Sequence, residues 1–387
     1  MVIASADRIS QIQEYYFSKK LQEIDQMRRS GLDVINLGIG SPDLSPSDAT
    51  IKRLVDECQK TGNHGYQSYR GIPELRLAFA QWYQRYFGVN LQPDNEVLPL
   101  MGSKEGIVHI SLAFINPGDE VLIPNPGYPT YESATRLAGG IPRYYDLRED
   151  NHWTPDLDKL GEENLDKVKI MWVNYPHMPT GAKASGELFN KLVHFGASNS
   201  ILICNDNPYS FILSNHYQSL LSVTGSKAVG LELNSLSKSH NMAGWRIGMV
   251  AGHADYINAI LKVKSNMDSG MFKPLQLAAV AALDNTESWY KTNNAVYKQR
   301  QQVALEIMAT LNCTCQPDQT GLFVWGKIPQ GYDCASKLSD TILEEAHVFV
   351  TPGMIFGPNG KKYLRISLCS DIGQLKEAKN RIASVKV

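Results

Sequence analysis

Short apolar runs alternate with longer amphipathic stretches through the middle of the chain, between about residues 95 and 285. Runs without polar alternation are typical of strands buried on both faces, and connections of helix length favour parallel neighbours. The pattern therefore predicts an α/β fold with a mainly parallel sheet flanked by helices. The predicted strands are 96–101, 120–123, 168–173, 201–204, 229–234 and 247–252.

The two ends of the chain have a different pattern. Apolar residues at helical spacing predict an amphipathic helix over 8–30, and Gly31 is expected to end it. Its apolar positions are Ile9, Ile12, Tyr16, Leu21 and Ile24. After about residue 285 the pattern is that of an α+β unit. Its predicted elements are a helix at 288–311, a strand at 322–325, a helix at 335–345 and a strand at 363–368.

These changes in pattern divide the chain into units. The length of 387 residues is compatible with two to three domains. We expect a large domain at 45–285 and a small discontinuous domain formed by 1–44 and 286–387.

The composition excludes several classes of protein. The chain has 38 Lys and Arg against 39 Asp and Glu, so its net charge of -1 gives no general attraction to nucleic acid or to an anionic membrane. No apolar run approaches the ~20 residues of a membrane span, and the N-terminus lacks the apolar core of a signal peptide. The six cysteines form no C-x-x-C pair, so no metal site is expected. We predict a cytoplasmic protein without nucleic-acid or membrane partners.

Polar residues follow the predicted strands, where open parallel sheets bind ligands. Gly102-Ser103-Lys104 lies between a strand and a helix, and the N–H groups of a helix N-terminus favour an anion. A capped helix without a ligand is the alternative, because neither G-x-x-x-x-G-K-[ST] nor G-x-G-x-x-G is present. The other polar residues at strand ends are Tyr128, Asn174, Asp206, Tyr209, Ser235, Ser237 and Lys238.

Lys238 is the most informative of these residues. A lysine at the end of a buried strand loses solvation, which lowers its pKa and makes the amine a good Schiff-base nucleophile. An exposed lysine after a strand is the alternative. Ser235-x-x-Lys238 also matches the S-x-x-K pattern of serine acylases, but the required K-T-G occurs only upstream, at 60–62. No G-x-S-x-G is present, which argues against an α/β-hydrolase.

From Asn36 to Arg365 the chain resembles the class I and II aminotransferases, which are pyridoxal-phosphate (PLP) enzymes of fold type I. The resemblance rests on the segment from Ser235 to Gly248 and on Asp206-x-x-Tyr209. The stretch 264–272 looks like the LL-diaminopimelate subgroup. The resemblance implies ping-pong transfer of an amino group from an amino acid to a 2-oxo acid.

The resemblance also implies roles for individual residues. Lys238 corresponds to the lysine that forms the Schiff base with PLP and moves the substrate proton. Asp206 corresponds to the acid that pairs with the pyridine nitrogen, Tyr209 to the donor to the ring oxygen O3′, and Tyr128 to the residue stacked on the ring. The expected phosphate contacts are Ser103, Lys104, Ser235, Ser237 and Arg246.

Three further residues are implied in substrate binding and assembly. Arg365 corresponds to the arginine that binds the substrate α-carboxylate, for which a planar guanidinium is well suited. Gly40 corresponds to a backbone contact with the same carboxylate. Tyr66 corresponds to a tyrosine that reaches the phosphate of the neighbouring subunit, which implies a homodimer.

One position departs from the family pattern. Met178 stands where the family has an asparagine that hydrogen-bonds O3′, and a thioether is only a weak acceptor. Asn174, His177 or water are the candidates to replace that contact. The departure leaves open a PLP-binding protein with reduced activity, and another fold type I enzyme such as a C–S lyase or a decarboxylase is a further alternative. An effector domain of a transcription regulator is disfavoured, since only about 30 residues precede Asn36.

Overall fold

The computed structural model describes residues 3–10 and 16–385. In these residues the strands are β1 Ile35–Asn36, β2 Val97–Leu100, β3 Glu120–Asn125, β4 Ile141–Asp146, β5 Val168–Val173, β6 Leu202–Asp206, β7 Gly230–Ser235, β8 Gly248–Gly252, β9 Thr314–Cys315, β10 Phe323–Lys327, β11 Val348–Phe349, β12 Thr351–Pro352 and β13 Tyr363–Ser367. The helices are α1 Asp7–Ser10, α2 Tyr16–Arg29, α3 Asp48–Cys58, α4 Pro73–Phe87, α5 Ser103–Phe114, α6 Thr130–Leu137, α7 Leu157–Gly161, α8 Gly186–Asn199, α9 Leu236–Ser239, α10 Ala254–Lys264, α11 Lys273–Leu283, α12 Glu287–Thr310, α13 Ala335–Ala346 and α14 Ile372–Ile382.

The main sheet has seven strands in the order β2-β8-β7-β6-β5-β3-β4. Strand β8 pairs antiparallel with both of its neighbours, and the strands from β7 to β4 pair parallel. The six strands predicted from apolar runs all lie in this sheet, and the mainly parallel α/β fold is confirmed. Because β8 runs in the opposite direction, the segment that precedes it lies at the edge where its neighbours end.

Strand β4 was not predicted from the sequence. It pairs only with β3 in the described residues and forms the edge of the sheet. Its residues are mostly exposed or half-buried, and it contains Pro142, which an edge strand tolerates. A half-exposed edge strand lacks the continuous apolar run that identified the central strands.

The second sheet contains residues from the C-terminal part of the chain. Its strands have the order β12-β13-β10-β9 and pair antiparallel. Strand β1 pairs parallel with β11 and so joins the N-terminal segment to this region. The predicted elements at 288–311, 322–325, 335–345 and 363–368 are confirmed as α12, β10, α13 and β13. The division into domains at residues 45 and 285 stays a prediction.

The predicted helix over 8–30 is described in two pieces, α1 and α2, and residues 11–15, including Ile12, lie outside the described residues. Gly31 follows α2 with φ +94°, a left-handed conformation that favours glycine, as expected for a helix end. Within the described ranges, no helix combines the length and the apolar character that crossing a membrane requires.

Candidate active site

A cavity of about 680 Å³ opens at the edge of the main sheet where strands β5, β6 and β7 end. All of the predicted site residues except Tyr66 line it. They are Gly40, Ser103, Lys104, Tyr128, Asn174, Asp206, Tyr209, Ser235, Ser237, Lys238, Arg246 and Arg365. The topology explains the convergence of the residues at the ends of β5, β6 and β7, because the carboxyl ends of parallel strands meet at one edge, whereas Gly40 and Arg365 come from outside the main sheet.

Lys238 lies on the short helix α9, directly after β7. Its Nζ donates a hydrogen bond to the carbonyl oxygen of Gly40. Burial lowers the pKa of Lys238, and the positive charges of Arg365 and Arg246 act in the same direction. The lowered pKa favours the neutral amine, which is the form that acts as a nucleophile.

Asp206 is the last residue of β6 and is buried. Its Oδ2 accepts a hydrogen bond of 3.1 Å from the hydroxyl of Tyr131, while Oδ1 has no hydrogen-bond partner among the described residues. Burial raises the pKa of Asp206 to about 7, and Tyr131, Ser103 and Lys238 oppose the increase. A buried carboxylate oxygen without a partner suits a ligand that brings its own N–H group.

The sequence did not identify Tyr131 as a site residue, although it lies in the cavity wall. Tyr131 lies in the first turn of α6 and packs between two other aromatic residues. Its ring stacks on Trp172, with centroids 5.0 Å apart and an interplanar angle of 5°, and meets Tyr128 edge-on at 5.7 Å. Tyr131 therefore fixes both the carboxylate of Asp206 and the wall that carries Tyr128.

A second residue that the sequence did not identify lies behind Asp206. Glu232 on β7 is 0% exposed, and its carboxylate accepts hydrogen bonds from Asn205 (2.9 Å) and, at a longer 3.4 Å, from Asn207. These two asparagines flank Asp206 in the sequence. Tyr83, Ser219 and the backbone N–H of Leu220 also donate to Glu232, at 2.9, 2.7 and 2.8 Å.

The signal for Glu232 was present in the sequence. An acid within the apolar run of β7 must be compensated by several donors, because burying a charged group without partners is unfavourable. The sequence could not name those donors, because they come from α4, β6 and the segment after it. Asn205 extends the network, since its Oδ1 accepts from the backbone N–H of Tyr175 at 3.1 Å.

The anion site predicted at Gly102-Ser103-Lys104 lies beside Arg246. Gly102 has φ +87°, and a Cβ there would lie 2.3 Å from Nη2 of Arg246, so only glycine fits. Ser103 begins helix α5. Burial lowers the pKa of Lys104, and the neighbouring Arg246 lowers it further. Two cations beside a helix N-terminus form an environment that favours an anion.

Hydrogen bonds connect the rest of this anion site. The guanidinium of Arg246 donates to the carbonyl of Ala243 at 2.9 Å and to Oγ of Ser237 at 3.4 Å. The hydroxyl of Ser235 donates to Oγ of Ser237 at 2.9 Å. Three of the five residues predicted to contact a phosphate, Ser235, Ser237 and Arg246, are therefore joined by hydrogen bonds.

Arg365 on β13 also lines the cavity. Its Nη2 donates to the carbonyl of Gly38 at 2.6 Å. The ring centroids of Phe323 and Phe356 lie 4.0 and 4.6 Å from the guanidinium carbon. Contacts with two aromatic rings and a carbonyl hold the guanidinium in one orientation.

The loop that carries Met178, the position that departs from the family pattern, is held by Asn174. Asn174 donates its amide to the carbonyl of Asp206 and accepts from the backbone N–H of Met178 at 2.8 Å. Both polar ends of Asn174 therefore have backbone partners. His177 bonds to Thr180 and does not line the cavity, and burial lowers its pKa to about 3. Met178 itself lines the cavity.

Tyr66 lies apart from the other predicted site residues. It is 93% exposed and does not line the cavity of its own chain. The intrachain structure thus leaves its hydroxyl available to another molecule.

Together these residues place a lysine of lowered pKa, two arginines and a buried carboxylate in one cavity. The family described as "Aminotransferase class I and II" matches residues 32–382. The LL-diaminopimelate aminotransferase of Desulforudis audaxviator is 41% identical over 384 residues, which cover 99% of this chain and 98% of that enzyme. The enzyme of the same name from Dehalococcoides mccartyi is 39% identical over 381 residues, 98% of each chain.

Among solved structures, apo BacF from Bacillus subtilis is 35% identical, with a TM-score of 0.95 and coverage of 100% of this chain and 99% of that one. The chain belongs to the class I and II aminotransferases. It is an enzyme of PLP-dependent amino-group transfer with the fold type I architecture. The family, the fold class and the enzyme class predicted from the sequence are confirmed. The roles of the individual site residues stay predictions.

Proposed function

We propose that this chain holds PLP in the cavity between Lys238 and Asp206 and transfers an amino group from an L-amino acid to a 2-oxo acid. The observation that carries the proposal is the unpartnered Oδ1 of Asp206, in the same cavity as a lysine of lowered pKa. A pyridinium N–H would supply the partner that this oxygen lacks among the described residues. The anion site around Arg246 matches the phosphate in charge.

Each residue then has a task at a stated atom. When bound, PLP supplies a ring that takes up the electron pair released from the substrate Cα. Lys238 would hold the cofactor covalently, and its amine, once released, would carry the proton away from the substrate Cα. Asp206 would keep the ring nitrogen protonated, Tyr209 would donate to O3′, and Tyr128 would cover the ring face.

The remaining contacts hold the phosphate and the substrate. Ser103, Ser235, Ser237 and Arg246, with the backbone at Lys104, would hold the phosphate. Arg365 would bind the α-carboxylate through its paired N–H groups, assisted by the backbone N–H of Gly40. Asn174 acts indirectly in this proposal, since it holds the backbone at Asp206 and Met178 together.

A homodimer is part of the proposal. Tyr66 is exposed near other exposed apolar side chains, Tyr69, Met267 and Phe272. His64 and Phe272 are in contact, with centroids 5.7 Å apart, and the backbone of Gln67 lies against Gly270, so these segments form one surface. An exposed apolar surface of this kind is typical of a subunit interface. There Tyr66 would reach the phosphate of the neighbouring active site.

The test uses the purified protein loaded with PLP. We expect visible absorbance from the covalently bound cofactor, and borohydride reduction followed by peptide mapping should place PLP on Lys238. Lys238→Ala should lose both signals, and PLP on another lysine would refute the assignment. Formation of a 2-oxo acid from the amino donor indicates transfer, whereas release of ammonia and pyruvate would indicate a C–S lyase.

A further inference from the structure

The segment 38–43 contains Gly40, whose carbonyl accepts the hydrogen bond from Lys238 and whose N–H is proposed to meet the substrate carboxylate. The beginning of this segment is attached to the second sheet, since the carbonyl of Gly38 accepts from Nη2 of Arg365 at 2.6 Å. Gly40 lies two residues further along the chain. Its position therefore also depends on what holds the other end of the segment.

That other end is held by an ion pair with helix α12. Nη1 and Nη2 of Arg300 lie 2.6 and 2.8 Å from Oδ1 and Oδ2 of Asp43, so each nitrogen donates to its own carboxylate oxygen. Nη1 also donates to the carbonyl of Leu368, three residues after Arg365 in the chain, at 3.0 Å. The Arg300 side chain is 4% exposed and that of Asp43 is 34% exposed. A paired contact of this kind fixes orientation as well as distance.

The same turn of α12 also contacts the turn that follows Lys238. Tyr297 lies three residues before Arg300, and its hydroxyl donates to Oδ1 of Asn241 at 3.2 Å. The amide of Asn241 donates in turn to the carbonyl of Ser45 at 3.2 Å. Asn241 has φ +57°, a left-handed conformation that asparagine adopts more readily than most residues. The segments on both sides of the Lys238 hydrogen bond are thus attached to one turn of α12.

We propose that Asp43 and Arg300 are positioning residues for carboxylate binding, because their ion pair fixes the segment that carries Gly40. The proposal rests on the proposed function, in which the N–H of Gly40 and the guanidinium of Arg365 meet one carboxylate. These two groups come from separate segments. Arg300 attaches to both segments, through Asp43 in one and through the carbonyl of Leu368 next to the other. A shift of either segment would disturb the geometry that the carboxylate contacts require.

The test measures carboxylate binding by calorimetry on the PLP-loaded protein. The probes are 3-phenylpropanoate and glutarate, which lack an amino group and therefore cannot react. The variant is Asp43→Asn, which removes the charge and replaces one acceptor of the pair by a donor. We expect at least tenfold weaker binding of whichever probe the wild type binds more tightly, with unchanged PLP affinity. Equal binding by wild type and variant would overturn the proposal, and so would an equal loss of PLP affinity, which would indicate general damage to the site.

The same titrations separate positioning from stability and from the proposed function. A variant that is merely less well folded lowers the binding stoichiometry and leaves the affinity of the folded sites unchanged, a result that would overturn the proposal. A wild type that binds neither probe would overturn the carboxylate site at Arg365 together with this proposal. Weaker binding by Asp43→Asn in a protein that transfers no amino group would support the proposal and reject only the transfer.

A second ion pair of the chain provides a matched control. Asp33, two residues before β1, lies 2.6 Å from Arg381 of α14, measured from Oδ2 to Nη2, and neither residue lines the cavity. Asp33→Asn therefore removes a comparable attachment between the N-terminal and C-terminal parts of the chain. Its carboxylate affinity should stay within twofold of wild type. A loss as large as that of Asp43→Asn would overturn the proposal.

A double-mutant cycle tests whether the two residues act through their contact. Arg300→Gln should weaken probe binding in the same way as Asp43→Asn. If both act through the ion pair, the double variant should bind no more weakly than the weaker of the two single variants, because neighbouring residues that share one interaction are not additive. Losses that multiply in the double variant would show that the residues act independently, and would overturn the proposal.

Discussion

The thioether sulfur of Met178 lies 3.5 Å from Nη1 of Arg365. At this position the family pattern has an asparagine whose amide hydrogen-bonds O3′ of the cofactor. Here the side chain lies instead against the guanidinium proposed to bind the substrate carboxylate. We expect the substitution to remove a hydrogen bond on the cofactor side, and the sulfur instead accepts a weak hydrogen bond from the guanidinium.

Met178→Asn should restore the missing contact to the cofactor. An amide N–H donating to O3′ stabilises the anionic form of the oxygen, so the pKa governing the visible absorbance should fall. We expect a decrease of about one unit, because a hydrogen bond contributes ~1 kcal/mol and one pKa unit corresponds to ~1.4 kcal/mol. The measurement is a spectrophotometric pH titration of both loaded proteins, and equal pKa values would refute the prediction.

Arg365→Lys should weaken substrate binding without disturbing the cofactor. Lysine cannot form the paired contact with a carboxylate, so we expect kcat/KM to fall by about 10- to 100-fold, the equivalent of ~1.5–3 kcal/mol for a charged hydrogen bond. The visible absorbance should be unchanged, because Arg365 is not among the proposed cofactor contacts. Loss of bound PLP in this variant would contradict the proposed role.

Much of the site could be predicted because strand order and direction decide which residues meet. Asp206 ends one buried strand and Lys238 follows another, and the carboxyl ends of parallel strands share one edge. Glu232 and Tyr131 could not be placed in this way. Their roles depend on donors and acceptors from several segments, and only the packed structure brings those together. Strand β4 was not predicted for another reason. Its residues at the sheet edge are mostly exposed or half-buried, so the sequence has no continuous apolar run there.

The raised pKa of Asp206 predicts how the cofactor-free protein responds to pH. Burial raises this pKa to about 7 from 3.8, so the folded state keeps a proton that the unfolded chain releases. The contribution of Asp206 to stability is therefore full below pH 4 and is lost as the pH rises through 7. Between pH 4 and pH 8, the free energy of unfolding of the wild type should fall by on the order of 4 kcal/mol relative to that of Asp206→Asn.

Urea unfolding of both cofactor-free proteins across this range measures the difference. Bound PLP should reduce the loss, because the ring N–H gives the ionised carboxylate a partner. If the difference in the free energy of unfolding between wild type and Asp206→Asn does not change with pH, the pKa of Asp206 is not raised in the folded protein.

Tyr66→Phe removes only the hydroxyl proposed to reach the neighbouring phosphate. We expect about tenfold weaker PLP retention, corresponding to ~1.4 kcal/mol for one hydrogen bond to a charged group. Equilibrium dialysis gives the affinity, and sedimentation tests the dimer. Tyr144→Phe on the edge strand β4 is the matched control, since Tyr144 is exposed and does not line the cavity. Unchanged PLP affinity in Tyr66→Phe would refute the proposal that the Tyr66 hydroxyl contacts the phosphate of the neighbouring subunit.

Glu232→Gln tests whether the buried carboxylate acts as a positioning residue for Asp206. Oε1 accepts from Tyr83 and Ser219, and Oε2 accepts from Asn205 and Leu220. In Glu232→Gln an amide NH₂ replaces one of the two oxygens, and in either orientation it would face groups that donate hydrogen bonds. We therefore expect a loss of ~1–3 kcal/mol in the free energy of unfolding. Glu345→Gln, on the exposed face of α13, is the control and should leave stability unchanged.

Stability alone does not distinguish a positioning role, so the cofactor must be measured as well. If Glu232 holds Asn205 and Asn207, and through them the backbone of Asp206, the variant should shift the pKa of the visible absorbance and lower kcat more than it raises KM. A purely structural role would lower the free energy of unfolding while leaving that pKa and the kinetic constants of the folded fraction unchanged. Glu232→Asp keeps the charge but shortens the side chain, and a pKa between those of wild type and Glu232→Gln would support positioning through the Asn205 contact.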